Sequence, residues 1–553
     1  MEQRGEFSLK CTVYEAPTGN PLADAHLFSF DRVHHLYDDQ DPRDLATYRA
    51  RAEDVLRTYA DDTRASLVKA LRSFHHQIGA SAAQNRALDR LAQAEAVAVV
   101  TGQQAGLFTG PIYSLAKALT AIGVARELER RLERPVVPVF WIASEDHDAE
   151  EVNHAHVVDR LGEVARIQLP HRFEPHQMMY CEALTARDVR SALNQADARL
   201  AEASHKLEAL HAVWSAWHDG DSLAMWFARI MAKLLAEYGL VFFDPCLPPI
   251  RRLAWPVFRR TLESVDEVQR RLDEVYAEVE RAGFVPEVVR DPRHSTVFAV
   301  IDGKRFVLET GGPGFVARGH GERGALSAWL ERGNLDPTGF SANVLLRPVV
   351  QDVVLPTLAY VGGPSEIAYY PLSRGVFRAH GRRLPPLILR QRMRLVPPSV
   401  ARLIRKHGLS LDELREPCDL VGNRMRADVS EPLRREIDGW IEGVRAKLGT
   451  LQASYAELGP DVRAIFERHA RMEERAWRDL ERRMVRAWKR RHQDEIRQMR
   501  QIERCLFPDG YPQERRLCPL NFWSEVGTQA FGELPTWSSI SQMGPVLDVV
   551  IDN

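Results

Sequence analysis

Cysteine is scarce in this 553-residue chain: the six thiols, Cys11, Cys181, Cys246, Cys418, Cys505 and Cys518, are scattered, and no pair forms CxxC. That scatter excludes a disulfide framework and a structural zinc knuckle, so the thiols read as reduced and structural. An excess of one charge is also missing, since 74 Lys and Arg stand against 76 Asp and Glu for a formal net charge of −2. Such a molecule has no global field to attract nucleic acid or an anionic membrane, and a charge-driven partner must meet a local patch. No window reaches the roughly 18 consecutive apolar residues of a membrane span. The opening MEQRGEFSLKCTVYEAP has no basic stretch leading into an apolar run, so the expected location is the cytoplasm.

What is present is length enough for two or three structural units. Residues 41 to 95 carry apolar residues at helical spacing between charged faces, the pattern of covering helices. AVAVVTG then forms an almost wholly apolar run ending at glycine, as expected of a strand buried on both faces of a parallel sheet. The period changes in LFTGPIYSLAKALTAIGVARELERRLER, where Leu115, Leu119, Ile122 and Leu128 share one side of a helix. A second apolar run, PVVPVFWIA, opens into SEDHDAEEVNH and completes a βαβ unit. GLVFFD (239–244) and VVLPTLAYVGG (353–363) read as further strands of a doubly wound α/β sheet. A helix around Arg187 to Trp217 and a hairpin turning at Asp302-Gly303 read as insertions.

The proline cluster LPPLILRQRMRLVPP reads as a linker, after which the sequence is rich in arginine and poor in glycine. Leu433, Ile437, Ile441, Val444, Leu448, Leu451, Tyr455 and Leu458 recur at alternating three and four, an a/d seam that Gly459-Pro460 ends. Val462, Ile465, His469, Met472, Ala476, Leu480 and Met484 form the expected seam of a second helix, making an antiparallel coiled-coil hairpin. The expected division is a core at 1–384 with insertions at about 155–235 and 250–340, a helical coiled-coil domain at 385–506, and a segment at 507–553 that returns to the core.

Chemistry concentrates at the strand ends, where ligands bind in open parallel sheets. TGQQAGLFTGP supplies Gly102, Gly106 and Gly110 for close backbone approach, the Thr101 and Thr109 hydroxyls, and the Gln103 and Gln104 amides. The helix start that follows favours an anion, although the loop matches neither a Walker A motif nor GxGxxG. SEDHDAEEVNHAH crowds Glu145, Asp146, His147, Asp148 and Glu151 after an apolar strand. Repulsion there should raise some carboxylate pKa values and hold His147 charged. Such a loop suits positioning or deprotonating an amine, or holding a divalent cation; His154 and His156 read as bystanders. In SANVLLRPVVQDVVLPTLAYVGGPSEIAYY, Asn343 and Arg347 precede the strand and Gly362, Gly363 and Glu366 follow it. Arg347 is read either as a carboxylate clamp or as the ion-pair partner of Asp352.

VVTGQQAGLFTGPIYSLAKALTAI, PVVPVFWIASEDHDAEEVNH and NVLLRPVVQDVVLPTLAYVGGPSEIAYY together resemble the bacillithiol biosynthesis cysteine-adding enzyme family, over essentially the whole chain. The resemblance implies a Rossmann-like core with connecting insertions, related to class I aminoacyl-tRNA synthetases, and a coiled coil that supports a homodimer. It implies ligation of the cysteine carboxyl group to the amine of glucosaminyl-malate, an amide-forming reaction. On that basis Asp146, His147 and Asp148 are assigned to the sugar amine as catalytic residues. The substrate-binding set is Gly102, Gln103, Gln104, Gly106, Thr109, Gly110, Glu145, Glu151, Asn343, Arg347, Gly362, Gly363 and Glu366. The family also implies an ATP or ADP pocket, for which Arg504, Phe507 and Arg515 are the candidates; no metal ligand is assigned. The chain departs from the synthetases in lacking both HxGH after the first strand and KMSKS, which puts adenylation of cysteine in question.

A rival reading makes the arginine-rich hairpin, with Trp477, Trp488, Lys489, Arg490 and Arg491, a nucleotide- or RNA-binding arm of a synthetase-like protein. Interleaved acidic residues favour a solvated coiled-coil face instead, so nucleic acid is not an expected partner.

Overall fold

A computed structural model describes residues 8–312, 314–459, 461–537 and 539–552. The chain divides into two compact units, one of residues 1–157, 165–398 and 512–553, the other of 158–164 and 399–511. Pro460, expected to end a helix, lies outside the described residues.

The first unit is organised by five parallel strands: β1 (Val97–Gln103), β2 (Val136–Ile142), β3 (Val241–Phe243), β4 (Thr357–Gly362) and β5 (Leu387–Leu389), in spatial order β5-β4-β1-β2-β3. β2 is buried along its whole length and β1 everywhere but Gln103, which is why both read as unbroken apolar runs. Helix α1 (Tyr113–Leu132) joins β1 to β2, α2 (Leu223–Leu234) precedes β3, α3 (Arg347–Val354) precedes β4, and α4 (Pro364–Ala379) links β4 to β5. The chain leaves β1 toward β2 and β3 on one side and returns to β4 and β5 on the other. β1 and β4 therefore form the switch point of a doubly wound sheet, and their carboxyl ends open a crevice.

Two insertions interrupt the connections of this sheet, and the second brings Phe298 and Arg305 to the crevice. One contains the ribbon His154–Val158 with Val164–Gln168 and, where one helix was expected, two: Ala186–Arg199 and Lys206–Ser215. The break follows from Leu200 leaving the helical region. The other insertion holds three helices and a five-stranded antiparallel sheet, in which His294–Ile301 pairs with Lys304–Gly311 across Asp302 (φ 50°) and Gly303 (φ 76°). Two consecutive positive φ values are the demand of a type I′ turn, which Asp-Gly meets.

The proline-rich stretch expected to be a linker is instead strand. Besides β5 it supplies Arg392–Val396, which pairs in parallel with the terminal strand Val546–Asp552; that strand pairs antiparallel with Ser8–Tyr14. A buried two-point ion pair between Arg394 and Asp548, at 2.7 and 2.6 Å, locks this register. The prolines bracket the strands rather than interrupt them. Val353 and Val354, expected in the fourth strand, close α3 instead.

In the second unit α5 (Glu431–Ser454) packs on α6 (Asp461–Arg491), followed by α7 (Gln493–Leu506). Arg434 pairs with Glu481, Trp440 lies edge-on to Trp477, and Arg445 pairs with Glu474, so partners descend along α6 as α5 ascends. The seam expected on α6 is not the buried one: Ile465, Met472, Leu480 and Met484 are 63, 58, 36 and 45 % exposed. Trp477 is half-buried and Trp488 buried, one residue position around the helix, because two apolar stripes run side by side and the one bearing indoles removes more surface from water. Trp488 also donates to Asp428 and stacks on His492. The indoles that the RNA-arm reading relied on are thus engaged in packing.

Candidate active site

The crevice at the β1 and β4 ends widens into a cavity of about 660 Å³ within the first unit, in the size range of small-molecule sites. Gly102 is required there by its neighbour, since a Cβ would stand 2.8 Å from the Trp141 carbonyl oxygen across the β1–β2 register. At the β4 end the Gly363 N–H donates to Glu366 Oε2 at 2.8 Å, closing the first turn of α4. Thus Gln103 at the end of β1 and Gln104 just beyond it, the acidic loop after β2, and Glu366 after β4 converge on one space.

Of the assigned residues, Gly102, Gln103, Gln104, Glu145, Asp146, Glu151, Asn343, Arg347, Gly363 and Glu366 line the cavity, as does Arg515. Gly106, Thr109 and Gly110 do not line it: they are buried in a tight turn whose Phe108 and Thr109 have φ of 52° and 76°. A Cβ on Gly106 would lie 2.7 Å from Gly110 Cα, so these glycines serve the turn itself. Asn343 Oδ1 accepts from the Leu345 and Leu346 N–H groups, both at 3.0 Å, and so begins the turn into α3.

The acidic loop sorts into distinct tasks. Glu145 is buried and ion-paired with Arg251 at 2.8 Å. Asp148 caps the short helix Ala149–Val152 through the Glu150 N–H. Asp146 and Glu151 face the cavity and share one donor, the Gln104 amide nitrogen, which reaches Asp146 Oδ2 at 2.6 Å and also bonds Glu151 Oε2. Burial pushes the Glu151 carboxyl up, the Gln104 hydrogen bond partly offsets this, and the charges of Asp146 and Asp148 raise it further. The expected charged state of His147 is reversed: burial and then Arg305 lower its pKa, outweighing Asp146. Arg305 donates to His147 Nδ1 at 3.4 Å, which calls for a neutral ring.

Opposite lies a cationic wall. Arg347 does not pair with Asp352, whose carboxylate is taken by Arg51 and Arg382. Instead Arg347 donates to Gln351 at 3.1 Å and to the Tyr360 hydroxyl at 3.4 Å, and its guanidinium stands 5.4 to 6.0 Å from the ring centroids of Tyr360, Trp141 and Tyr370. Arg305, buried, lies 4.1 Å over the Phe298 ring and donates to Ser341 and to the Ala342 carbonyl. Among the described residues neither Arg305, Arg347 nor the exposed Arg515 has an ion-pair partner within 4 Å.

Sequence reasoning missed Lys117, Tyr360, Arg305 and Arg390. Lys117 pairs with Glu366, and Arg390 is neutralised by two 2.7 Å bonds to Glu514. Burial raises the Glu366 carboxyl, but Lys117, the Gly363 N–H and the Tyr360 hydroxyl outweigh it and hold the group below its usual value. A signal for Lys117 exists, since it is the sole charge between Glu95 and Arg126. Arg305 comes from a distant insertion and had none. Of the nucleotide candidates, Arg504 and Phe507 belong to the second unit, where Arg504 bonds the Gly162 carbonyl and pairs with Glu163.

A doubly wound sheet with an acid-and-amide pocket at its switch point, joined in one chain to a coiled-coil hairpin, defines a Rossmann-like enzyme with a helical appendage. Residues 9–391 match the model of the bacillithiol biosynthesis BshC N-terminal Rossmann-like domain, and residues 393–539 match that of the BshC C-terminal coiled-coil domain. A Symbiobacterium thermophilum protein named "Putative cysteine ligase BshC" is 33 % identical over 85 % of this chain and 86 % of its own length. Proteins of the same name from Heliobacterium modesticaldum (32 % identical, 84 % of this chain, 86 % of theirs) and Solibacter usitatus (30 %, 88 % and 89 %) are similar throughout. The chain belongs to the BshC family of bacillithiol biosynthesis and is a ligase. No helix among the described residues is long and apolar enough to cross a membrane.

Proposed function

We propose that this ligase joins the carboxyl group of cysteine to the amine of glucosaminyl-malate, forming an amide. The observation that carries the reading is the polarity of the cavity: Arg305 and Arg347 line it without carboxylate partners, while Asp146 and Glu151 face it bridged only by a neutral amide. An enclosed guanidinium with no counter-charge is costly unless a ligand supplies the anion. A substrate bearing malate carboxylates and a sugar amine matches both walls. In this reading Arg305 and Arg347 hold the carboxylates, and Asp146 and Glu151 hold the amine. Glu151, whose raised pKa makes its carboxylate the stronger base, takes the proton that the amine loses, with neutral His147 alongside. Asp148 shapes the loop from its capping position.

A free carboxylate needs activation before it is attacked by an amine; ATP would convert it to an acyl phosphate with release of ADP, or to an acyl adenylate with release of pyrophosphate, and phosphate or AMP then leaves as the amide bond forms. Arg515 has the right chemistry for its phosphates, being exposed at the cavity and without an ion-pair partner among the described residues; Arg504 does not, because Glu163 already neutralises it.

Pure protein incubated with cysteine, glucosaminyl-malate and ATP, omitting one at a time, is expected to yield the amide by mass spectrometry, with AMP or ADP identifying the activation route. Arg347→Met should raise KM for glucosaminyl-malate about 10- to 100-fold, the value of a lost charge-assisted hydrogen bond. Folded protein that makes no amide, or an unchanged KM in the variant, would overturn the reading or its assignment of Arg347 respectively.

A further inference from the structure

Lys117 enters the buried layer from α1 at 3 % exposure, and its three ammonium protons are all engaged. Nζ donates to the Gly102 carbonyl at 2.8 Å and to Gln103 Oε1 at 2.9 Å, and it pairs with Glu366 Oε2. An ammonium has donors and no acceptor, so a side-chain amide that meets it must present its oxygen. The planar Gln103 amide then directs its nitrogen away, toward Gln104 Oε1 at 3.3 Å and the Tyr113 hydroxyl at 3.5 Å. Gln104, its oxygen so occupied, turns its nitrogen onto Asp146 and Glu151. At the other end Glu366 is fixed by the Tyr360 hydroxyl at 2.5 Å and the Gly363 N–H at 2.8 Å, and Arg347 in turn donates to Tyr360. One hydrogen-bonded chain thus runs from the cationic wall to the acidic one.

We infer that Lys117 is a positioning residue for the Asp146–Glu151 pair, acting through two successive glutamine amides whose sense its donor-only ammonium dictates. Reversing the second amide would set a carbonyl oxygen against two carboxylates, and the pair would lose the donor that holds it together. Held in the observed sense, the carboxylates stay close and keep lone pairs for a substrate amine; that last role rests on the function proposed above. No residue of the relay other than Asp146 and Glu151 needs to touch the reacting atoms.

The test follows the Glu151 carboxyl in the full-length, substrate-free protein by carbon NMR with labelled glutamate side chains, its signal assigned by loss in Glu151→Gln. The charged and titratable groups that face Glu151 are Asp146 and Asp148 from its own loop and Tyr113 from α1, and all stay in place. Lys117→Gln, whose amide can present either end, is expected to raise the Glu151 midpoint by about half a pH unit or more, because the Gln104 donor is no longer enforced. Gln103→Leu breaks the relay while sparing the Lys117–Glu366 pair, and the same rise is expected, so the outcome does not depend on how Lys117→Gln folds. An unmoved midpoint in Gln103→Leu overturns the relay. Cysteine ligation assayed in the same proteins separates the two ideas: ligation with an unmoved midpoint defeats the relay alone. A moved midpoint with no ligation, even by the parent, supports the relay and defeats the functional reading.

Discussion

Asp244, at the carboxyl end of β3, is enclosed on every side and hydrogen-bonded to Ser144 and to the Cys246 N–H. Burial pushes its carboxyl up to about 6, against an ordinary 3.8. The folded value exceeds the unfolded one, so between these two pH values the folded state keeps a proton that the unfolded chain has released. Its stabilising contribution is therefore complete below the unfolded pKa and is lost as pH rises through about 6. Asp244→Asn, which retains an acceptor for both partners, is expected to remove this decline and to be more stable near pH 7 by on the order of 2 kcal/mol. Denaturant titrations of both proteins across that range check it, and parallel stability curves would count against burial as the cause. Individual site residues differ in how legible they were. Asp146 and Glu151 were visible as an acid cluster after an apolar strand, and Lys117 as a solitary charge in an apolar helix. Arg305 lies in a hairpin more than 150 positions from His147, and nothing local marks it for the cavity.

Among the elements, α6 carries two apolar stripes, and the one bearing half-buried Trp477 and buried Trp488 is the one turned into its hairpin. The other leaves Ile465, Met472, Leu480 and Met484 in solvent, together with Leu451, Tyr455 and Leu458 at the end of the first helix. A sustained exposed stripe at helical spacing favours a partner helix, and we propose that this face carries the homodimer contact that the family resemblance implies. Met472→Glu combined with Leu480→Glu is expected to convert a dimer to a monomer in light scattering; a dimer that survives both changes would remove this face from the proposal. The heptad count found the helices, but spacing cannot choose between adjacent stripes of similar hydropathy. The choice fell to packing, where indole area decides. Similarly, prolines at 385–386 and 397–398 suggested a linker, because a strand framed by proline and a connector with proline look alike until its partner strands are known.

For the whole molecule, near-zero net charge and engaged indoles argue against nucleic acid binding. A tRNA mobility-shift assay at physiological salt is expected to show no retained complex, and a complex with a steep salt dependence would restore the arginine-arm reading. By itself the sequence determined the βαβ unit, the two strand-end loops and the helical hairpin. Each of these is written in local periodicity and turn chemistry, which act within a few residues. Only the tertiary structure decided that β1 and β4, some 260 residues apart, are neighbours. It also decided that Arg347 faces three aromatic rings instead of Asp352, and that burial and Arg305 lower the pKa of His147. The physical reason is common to all three: pairing, desolvation and the choice of counter-charge depend on what the fold brings within a few ångströms, and residue spacing carries no record of that. The acidic loop after the second strand was readable as a cluster; that Arg305 and Arg347 line the same cavity was not.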